Sequence, residues 1–167
     1  KKLIRVGNGY EKPKKHYEVF INYTGWFGEG DNKREFDSNS AEGKTRSYTI
    51  GSGGMCEGFD AALKQMKKGE KAKLTIAASK AYGEEGWPER SVPPNAVLEY
   101  EVEVDDWYNV EEVSQTNGGV LVKTIEDSAH WEKPRDEDAV FVRYRLRLLE
   151  DDIWLYSEGY GGGEEPK

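Results

Sequence analysis

Gly51-Ser52-Gly53-Gly54-Met55-Cys56-Glu57-Gly58-Phe59-Asp60-Ala61-Ala62-Leu63-Lys64-Gln65-Met66-Lys67-Lys68-Gly69 is the stretch that decides the fold. A glycine-rich loop runs into a short amphipathic segment. Phe59, Ala62, Leu63 and Met66 fall at i, i+3, i+4 and i+7, one apolar stripe at helical spacing. Lys64, Lys67 and Lys68 lie off the stripe, and two of them crowd its C-terminal end, where positive charge suits the helix dipole. Gly69 stands where a C′ glycine would end the helix. No other segment is strongly helical.

The flanks alternate instead. Leu3, Ile4 and Val6 form a short β-prone run. Glu18–Thr24 is rich in β-branched and aromatic residues and reads as a strand. Gly25 to Lys33 reads as a turn or bulged hairpin, and Phe36-Asp37-Ser38 follows. Arg46–Ile50 alternates into the glycine loop, Lys71–Ile76 alternates after the helix, and Val97–Val104 alternates most clearly, ending at Trp107. Tyr82 to Asn95 is a long loop. The expected class is α+β, a twisted antiparallel β-sheet wrapped around one short α-helix.

Composition bounds the function. The 167 residues are 36% hydrophobic and 34% charged, the balance of a well-solvated domain. No apolar run approaches a membrane span, so no membrane partner is expected. The net charge of -8 argues against nucleic acid as the main partner. Cys56 is the single cysteine, which rules out an internal disulfide and fits a reducing compartment. With two histidines beside it, no typical zinc site and no cofactor is expected. The chain opens on Lys1 rather than Met, as an excised piece of a longer protein would.

Charge also divides the chain. Residues 1–107 carry 17 Lys+Arg against 18 Asp+Glu, and residues 108–167 carry 7 against 14. The second segment repeats the start of the first at a shift of 121: Ile4 meets Ile125, Glu11-Lys12-Pro13 meets Glu132-Lys133-Pro134, and Val19-Phe20 with Tyr23 meets Val140-Phe141 with Tyr144. A period of one domain length means tandem domains. The expected organisation is a full domain over 1–107, then over 108–167 a linker and the truncated start of a second copy. The glycine- and glutamate-rich end, Gly159 to Pro166, reads as disordered or as a cut edge.

There is no Ser–His–Asp pattern, no Walker loop and no HExxH. Gly51-Ser52-Gly53-Gly54 lacks the Lys-Ser/Thr of a phosphate cradle and reads as a loop feeding a helix. The chain is instead rich in aromatics near loops: Tyr23, Trp26, Phe27, Phe36, Tyr48, Phe59, Tyr82, Trp87 and Tyr100. Each alone reads as core. Together they fit a shallow aromatic bowl suited to an apolar ligand such as proline.

Six motifs carry a resemblance: Tyr23-Thr24-Gly25, Phe36-Asp37-Ser38, Gly51 with Gly58-Phe59-Asp60, Met66-Lys67-Lys68-Gly69-Glu70, Ala81-Tyr82-Gly83 with Gly86, and Pro93-Pro94-Asn95-Ala96. In this order they span residues 1–107, which resemble the FKBP family, the macrolide-binding peptidyl-prolyl cis/trans isomerases. The tail, with Gly118-Gly119-Val120 and Trp131-Glu132-Lys133-Pro134, resembles the opening of the next domain in multi-domain immunophilins.

The resemblance implies an isomerase of X–Pro bonds with no cofactor. By position, Tyr23, Phe36, Asp37, Phe59, Tyr82 and Tyr100 form its catalytic pocket, and Arg46, Met55, Cys56, Trp87 and Val92 complete the surface for substrate or macrolide. The Cys56 backbone N–H and the Tyr82 hydroxyl are expected to donate to ligand carbonyls, and Asp37 to act as an acceptor in the wall. Implied partners are proline-containing peptides or proteins and macrolides such as rapamycin. Such immunophilins often continue into a tetratricopeptide domain that binds the ninety-kilodalton heat-shock chaperone. Location follows as cytoplasmic or nuclear.

The sequence also departs from the family. Glu42 stands where an arginine commonly pairs with the pocket aspartate, Arg46 at a usual aromatic wall position, and Phe59 where tryptophan usually forms the floor. Gly54 replaces a residue whose backbone contacts macrolides, and Trp87 is bulkier than usual. The expectation is weakened isomerase activity, reduced macrolide affinity and no activity in the second copy. The competing reading is a protein-interaction or co-chaperone module in a larger immunophilin.

Overall fold

Alternating burial along a ten-residue strand sets the frame. From Glu18 to Phe27, Val19, Ile21, Tyr23 and Gly25 turn inward while their neighbours face out. Such a strand has one buried face and needs partners on both edges. In the computed structural model, residues 1–40, 43–113, 120–126 and 134–142 are described, together with the backbone of 144–148 and 153–158. The chain forms two compact units, Lys1–Asp127 and Ser128–Lys167.

The first unit holds strands β1 (Lys2–Arg5), β2 (Glu18–Phe27), β3 (Arg34–Ser38), β4 (Arg46–Thr49), β5 (Lys71–Ile76), β6 (Leu98–Tyr108), β7 (Val110–Glu112) and β8 (Leu121–Lys123), with helix α1 at Glu57–Leu63. The main sheet is antiparallel, in the order β1-β5-β6-β2-β3, with β4 also paired to β2. One edge of β2 pairs along its whole length with β6. Its other edge is shared, β4 taking Glu18 to Ile21 and β3 taking Thr24 to Phe27. A shared edge of this kind bends the sheet around α1.

The expected strands are present, but β2 continues through Gly25 to Phe27, where the sequence reads as a turn or bulged hairpin, and its register with β3 slips between Gly25 and Trp26. A second bulge was not foreseen. Phe20 pairs with Asp106 but Ile21 pairs with Val104, so β6 carries one extra residue there. The slip exposes both Asp105 and Asp106 and lets Val104 and Trp107 face inward together.

The helix is shorter than the apolar stripe predicts. It ends at Leu63, so Met66 and the lysines at 67 and 68 lie beyond it and no basic residue sits in its last turn. Gly69 is not its cap. At φ +72° it lies where the chain turns into β5, and its N–H donates to the Val104 carbonyl at 2.6 Å. Met66 keeps the stripe's apolar role without helical geometry: it is fully buried, and its N–H donates to Leu63 O in a tightened last turn. The need to return to the sheet at Glu70 overrides helix periodicity. Glu70 itself is buried, paired with Lys1 at 2.7 Å and accepting the Lys67 N–H at 3.1 Å.

The composition change at Trp107 falls inside β6, and the β7–β8 pair belongs to the first compact unit. In the second unit, β9 (Tyr144–Leu148) pairs antiparallel with β10 (Ile153–Glu158). The pair has the chain order of β2 and β3 at the shift of 121. Phe27↔Arg34 would map to Leu148↔Leu155, whereas Leu148 pairs with Ile153, through a connection two residues shorter. Gly118, Gly119, Trp131 to Lys133 and the end from Gly159 lie outside the described residues.

Gly58 lets α1 approach the sheet. A Cβ there would lie 2.4 Å from Ile76 Cγ2 and 2.9 Å from the Lys80 carbonyl oxygen. Alanine gains about 1 kcal/mol in helix propensity. The clash wins, because the Lys80 oxygen is backbone and cannot rotate away. Gly58→Ala should lower stability by about 1–3 kcal/mol in urea unfolding, and an unchanged or raised midpoint would contradict this packing.

Candidate functional site

The concave face of the sheet presents aromatic rings, and α1 supplies the one at their centre. Phe59 is fully buried. Its ring lies 4.8 Å from Tyr100, 5.9 Å from Tyr23 and 6.1 Å from Tyr48. Tyr100 in turn meets Phe36 edge-on at 5.6 Å. Gly25 permits this convergence: a Cβ there would stand 2.7 Å from Tyr100 Cε1 and 2.9 Å from Phe36 Cζ. Trp87 closes one side, 4.8 Å from Tyr82 and 6.4 Å from Phe36. These separations suit edge-to-face and tilted ring packing.

The loop before α1 adds Met55 and Cys56, both buried. Cys56 is the N-cap residue of α1, and its carbonyl accepts the N–H of Phe59 and of Asp60. No hydrogen bond from its own N–H to another described residue is seen. Burial raises the Cys56 thiol pKa, so this cysteine is poorly suited to nucleophilic chemistry.

One wall is polar. Asp37 is buried, and its carboxylate is held on both oxygens. Tyr23 O–H donates to Oδ2 at 2.8 Å, and Arg90 Nη1 donates to Oδ1 at 2.9 Å. Arg46 Nη1 donates to the Tyr23 hydroxyl oxygen at 2.6 Å and stays 4.0 Å from Asp37. A buried carboxylate without such partners would carry a large desolvation cost. Glu42 lies outside the described residues.

Arg90 is not among the residues the sequence points to, and Tyr48 is read there only as one ring of the bowl. Arg90 lies between Trp87 and Val92, but nothing in the sequence singles out its guanidinium. Its position comes from a small closed loop, in which Trp87 and Val92 exchange two backbone hydrogen bonds, of 2.9 and 3.0 Å, around the 3-10 turn Pro88–Arg90. Ser91 at φ +58° completes the loop, and the Arg90 guanidinium sits over the Trp87 ring at 5.4 Å. Tyr48 sits on the alternating strand that enters the glycine loop. Its hydroxyl donates to Asp60 Oδ1 at 2.6 Å, fastening β4 to α1.

Most of the predicted residues lie together around the Phe59 ring. Tyr23, Phe36, Phe59 and Tyr100 form the ring cluster, Met55 and Cys56 flank Phe59 in the chain, Tyr82 and Trp87 stand over one side, and Asp37 with Arg46 forms the polar wall. Val92 is buried and fixes the loop behind Trp87.

Two buried hydroxyls face each other. Tyr82 Oη and Tyr100 Oη interact with one another, and among the described residues neither makes a well-formed hydrogen bond. Burial raises the pKa of Tyr82 and of Tyr100, each further raised by charge on its neighbours, and burial does the same for Tyr23 and Tyr48 beside their carboxylates. All four stay protonated through neutral pH. An unpaired buried hydroxyl is costly and marks a place where a ligand acceptor would be welcome.

A family model described as FKBP-type peptidyl-prolyl cis-trans isomerase matches residues 9–105. The chain belongs to this family. FK506-binding protein 1B of Aspergillus fumigatus is 41% identical over 109 residues, covering 62% of this chain and 89% of that protein. Human peptidyl-prolyl cis-trans isomerase FKBP4 is 32% identical over 165 residues, covering 96% of this chain and 35% of that protein. The crystal structure of the three FKBP domains of wheat FKBP73 superposes with a TM-score of 0.84 at 28% identity, covering 96% of this chain and 65% of that one. The chain thus spans about a third of the length of its human relative. No helix among the described residues is long and apolar enough to cross a membrane.

Raised tyrosine pKa values have a stability consequence. A folded-state pKa above the unfolded value of about 10 stabilises the fold fully below pH 10, and that stability is lost as pH rises further. Titration at 295 nm should therefore show the exposed tyrosines ionising first. Tyr23, Tyr48, Tyr82 and Tyr100 should ionise only as the fold melts. A single population ionising near pH 10 with the circular dichroism unchanged would contradict the burial described.

Proposed function

We propose that residues 1–107 catalyse cis/trans isomerisation of X–Pro bonds at the concavity floored by Phe59. The observation that carries this reading is a cluster of aromatic rings around Phe59 with two buried tyrosine hydroxyls at its edge, in a chain of the FKBP family.

The chemistry needs no bond broken. An amide resists rotation because resonance gives its C–N bond partial double-bond character, with a barrier of about 18–20 kcal/mol. Water favours the planar, charge-separated form. The rings of Tyr23, Phe36, Phe59 and Tyr100 receive the proline ring and exclude water from the amide, which removes that preference. The Tyr82 hydroxyl and the Cys56 N–H donate to carbonyls of the peptide and hold it while the bond turns. Binding the twisted amide better than either planar isomer accelerates rotation in both directions. Tyr82 keeps its proton well past neutral pH, so it remains a donor throughout the working range.

Proline-containing peptides are the proposed substrates, and a macrolide with an amide-like carbonyl, such as FK506 or rapamycin, would occupy the same pocket. Arg46 on the rim in place of a ring reduces the apolar area open to a macrolide. The second reading, a docking module with weak activity, draws on that rim and on the larger relatives, whose further domains could supply a chaperone partner in a reducing compartment. We further propose that residues 108–167 begin a second FKBP-like domain that lacks the pocket's Phe-Asp pair, since the shift of 121 sets Ser157 and Glu158 against Phe36 and Asp37.

A protease-coupled assay on a short X-Pro-Phe peptide tests the activity. Turnover above the uncatalysed rate, blocked by rapamycin, is expected, and a rate equal to the uncatalysed one overturns the reading. Tyr82→Phe removes one hydrogen bond worth about 1 kcal/mol, about a fivefold loss of ligand affinity. Unchanged affinity would remove Tyr82 from the pocket.

A further inference from the structure

Two guanidiniums share one buried carboxylate at the pocket wall. Asp37 Oδ1 accepts from Arg90 and Oδ2 from Tyr23, so both oxygens are engaged. Arg46 is 4.0 Å from that carboxylate and is held instead by the Tyr23 hydroxyl. The wall thus carries two positive charges against one negative among the described residues.

Both cations are held in place and remain accessible. Arg46 is fixed by the hydrogen bond to Tyr23, and its side chain is 51% exposed. Arg90 is fixed by Asp37 and by the Trp87 ring beneath it, and its side chain is 41% exposed. Each uses only Nη1 in the hydrogen bonds among the described residues, of the five N–H groups a guanidinium offers. A fork of unused donors held at fixed positions suits a carboxylate or a phosphate. Glu84, Glu85 and Glu89 lie on the loop that bears Arg90, but they are exposed and form no ion pair among the described residues, so solvent screens them most.

Building on the isomerase reading above, we infer that Arg46 and Arg90 form an anion-reading rim, which selects X–Pro segments carrying an acidic side chain beside the proline. The anion is a carboxylate or a phosphate, since both take a guanidinium fork. An apolar pocket alone accepts any X–Pro bond. The rim adds attraction for an acidic neighbour and repulsion of a basic one, and specificity is that difference.

The test uses the full chain and tetrapeptides Ala-Xaa-Pro-Phe, with Xaa as Ala, Glu, phosphoserine or Lys, in a protease-free isomerisation assay. In low salt kcat/KM should favour Glu over Lys by about tenfold, falling to about twofold in 1 M salt, where the screening length is about 3 Å. Arg46→Gln with Arg90→Gln should flatten the ratio, and Arg46→Lys should keep most of it. A phosphoserine peptide turned over faster than the glutamate one assigns the rim to phosphate, and the reverse order to carboxylate. A wild-type Glu-to-Lys ratio below about threefold in low salt, or one that both neutralisations leave intact, overturns the rim. Should neutralisation impair folding, the salt dependence of the wild type decides. Turnover of the Ala peptide separates the two claims: its loss overturns the isomerase reading, and the Glu-to-Lys ratio is then read from dissociation constants. A flat ratio with Ala turned over overturns the rim alone.

Discussion

Phe59 against Tyr100 is the contact on which the rest depends. A seven-residue helix has no stability of its own in water, because nucleation costs more than so few hydrogen bonds return. Helix α1 exists because its apolar face is buried in the curved sheet, and Phe59 is the largest group on that face. Its ring meets Tyr100 from β6, Tyr23 from β2 and Tyr48 from β4. Three strands and the helix therefore converge on one side chain. Each ring pair adds about 0.5–1.5 kcal/mol beyond the area it buries. The same rings that seal the core form the floor of the concavity, so the floor is as rigid as the core itself.

That rigidity makes the polar wall possible. Asp37 can be buried beside the rings only because Tyr23, Arg90 and, more distantly, Arg46 answer its charge. Tyr23 belongs to both systems. Its ring packs on Phe59 while its hydroxyl donates to Asp37 and accepts from Arg46. A floor of buried rings thus sits against a charged wall, with one tyrosine joining them.

Much of this was legible in the chain. Period-two alternation in Glu18–Thr24, Lys71–Ile76 and Val97–Val104 marks strands because burial follows side-chain direction. The glycines before Glu57 mark the entry to the only α-helix among the described residues. Tyr23, Phe36, Asp37, Phe59 and Tyr82 could be named because they belong to motifs that recur in order along a known family. Three features were not legible. The helix stops at Leu63 because the chain must rejoin the sheet through Gly69, and that demand appears only once β5 and β6 are paired. The bulge at Asp105 and Asp106 is a register choice between two strands, invisible in either alone. Arg90 reaches Asp37 through a loop closed by Trp87 and Val92, a tertiary event with no local signal.

The central claim, that the Phe59 floor is the binding surface, is tested most directly by amide chemical-shift mapping during titration with a short proline peptide. The account predicts that the largest shifts fall on Cys56, Phe59 and Tyr82, with smaller ones at Asp37 and Arg46. Shifts centred instead on Trp26, Thr75 and Glu99, which line a groove that shares only Tyr100 with the ring cluster, would contradict it.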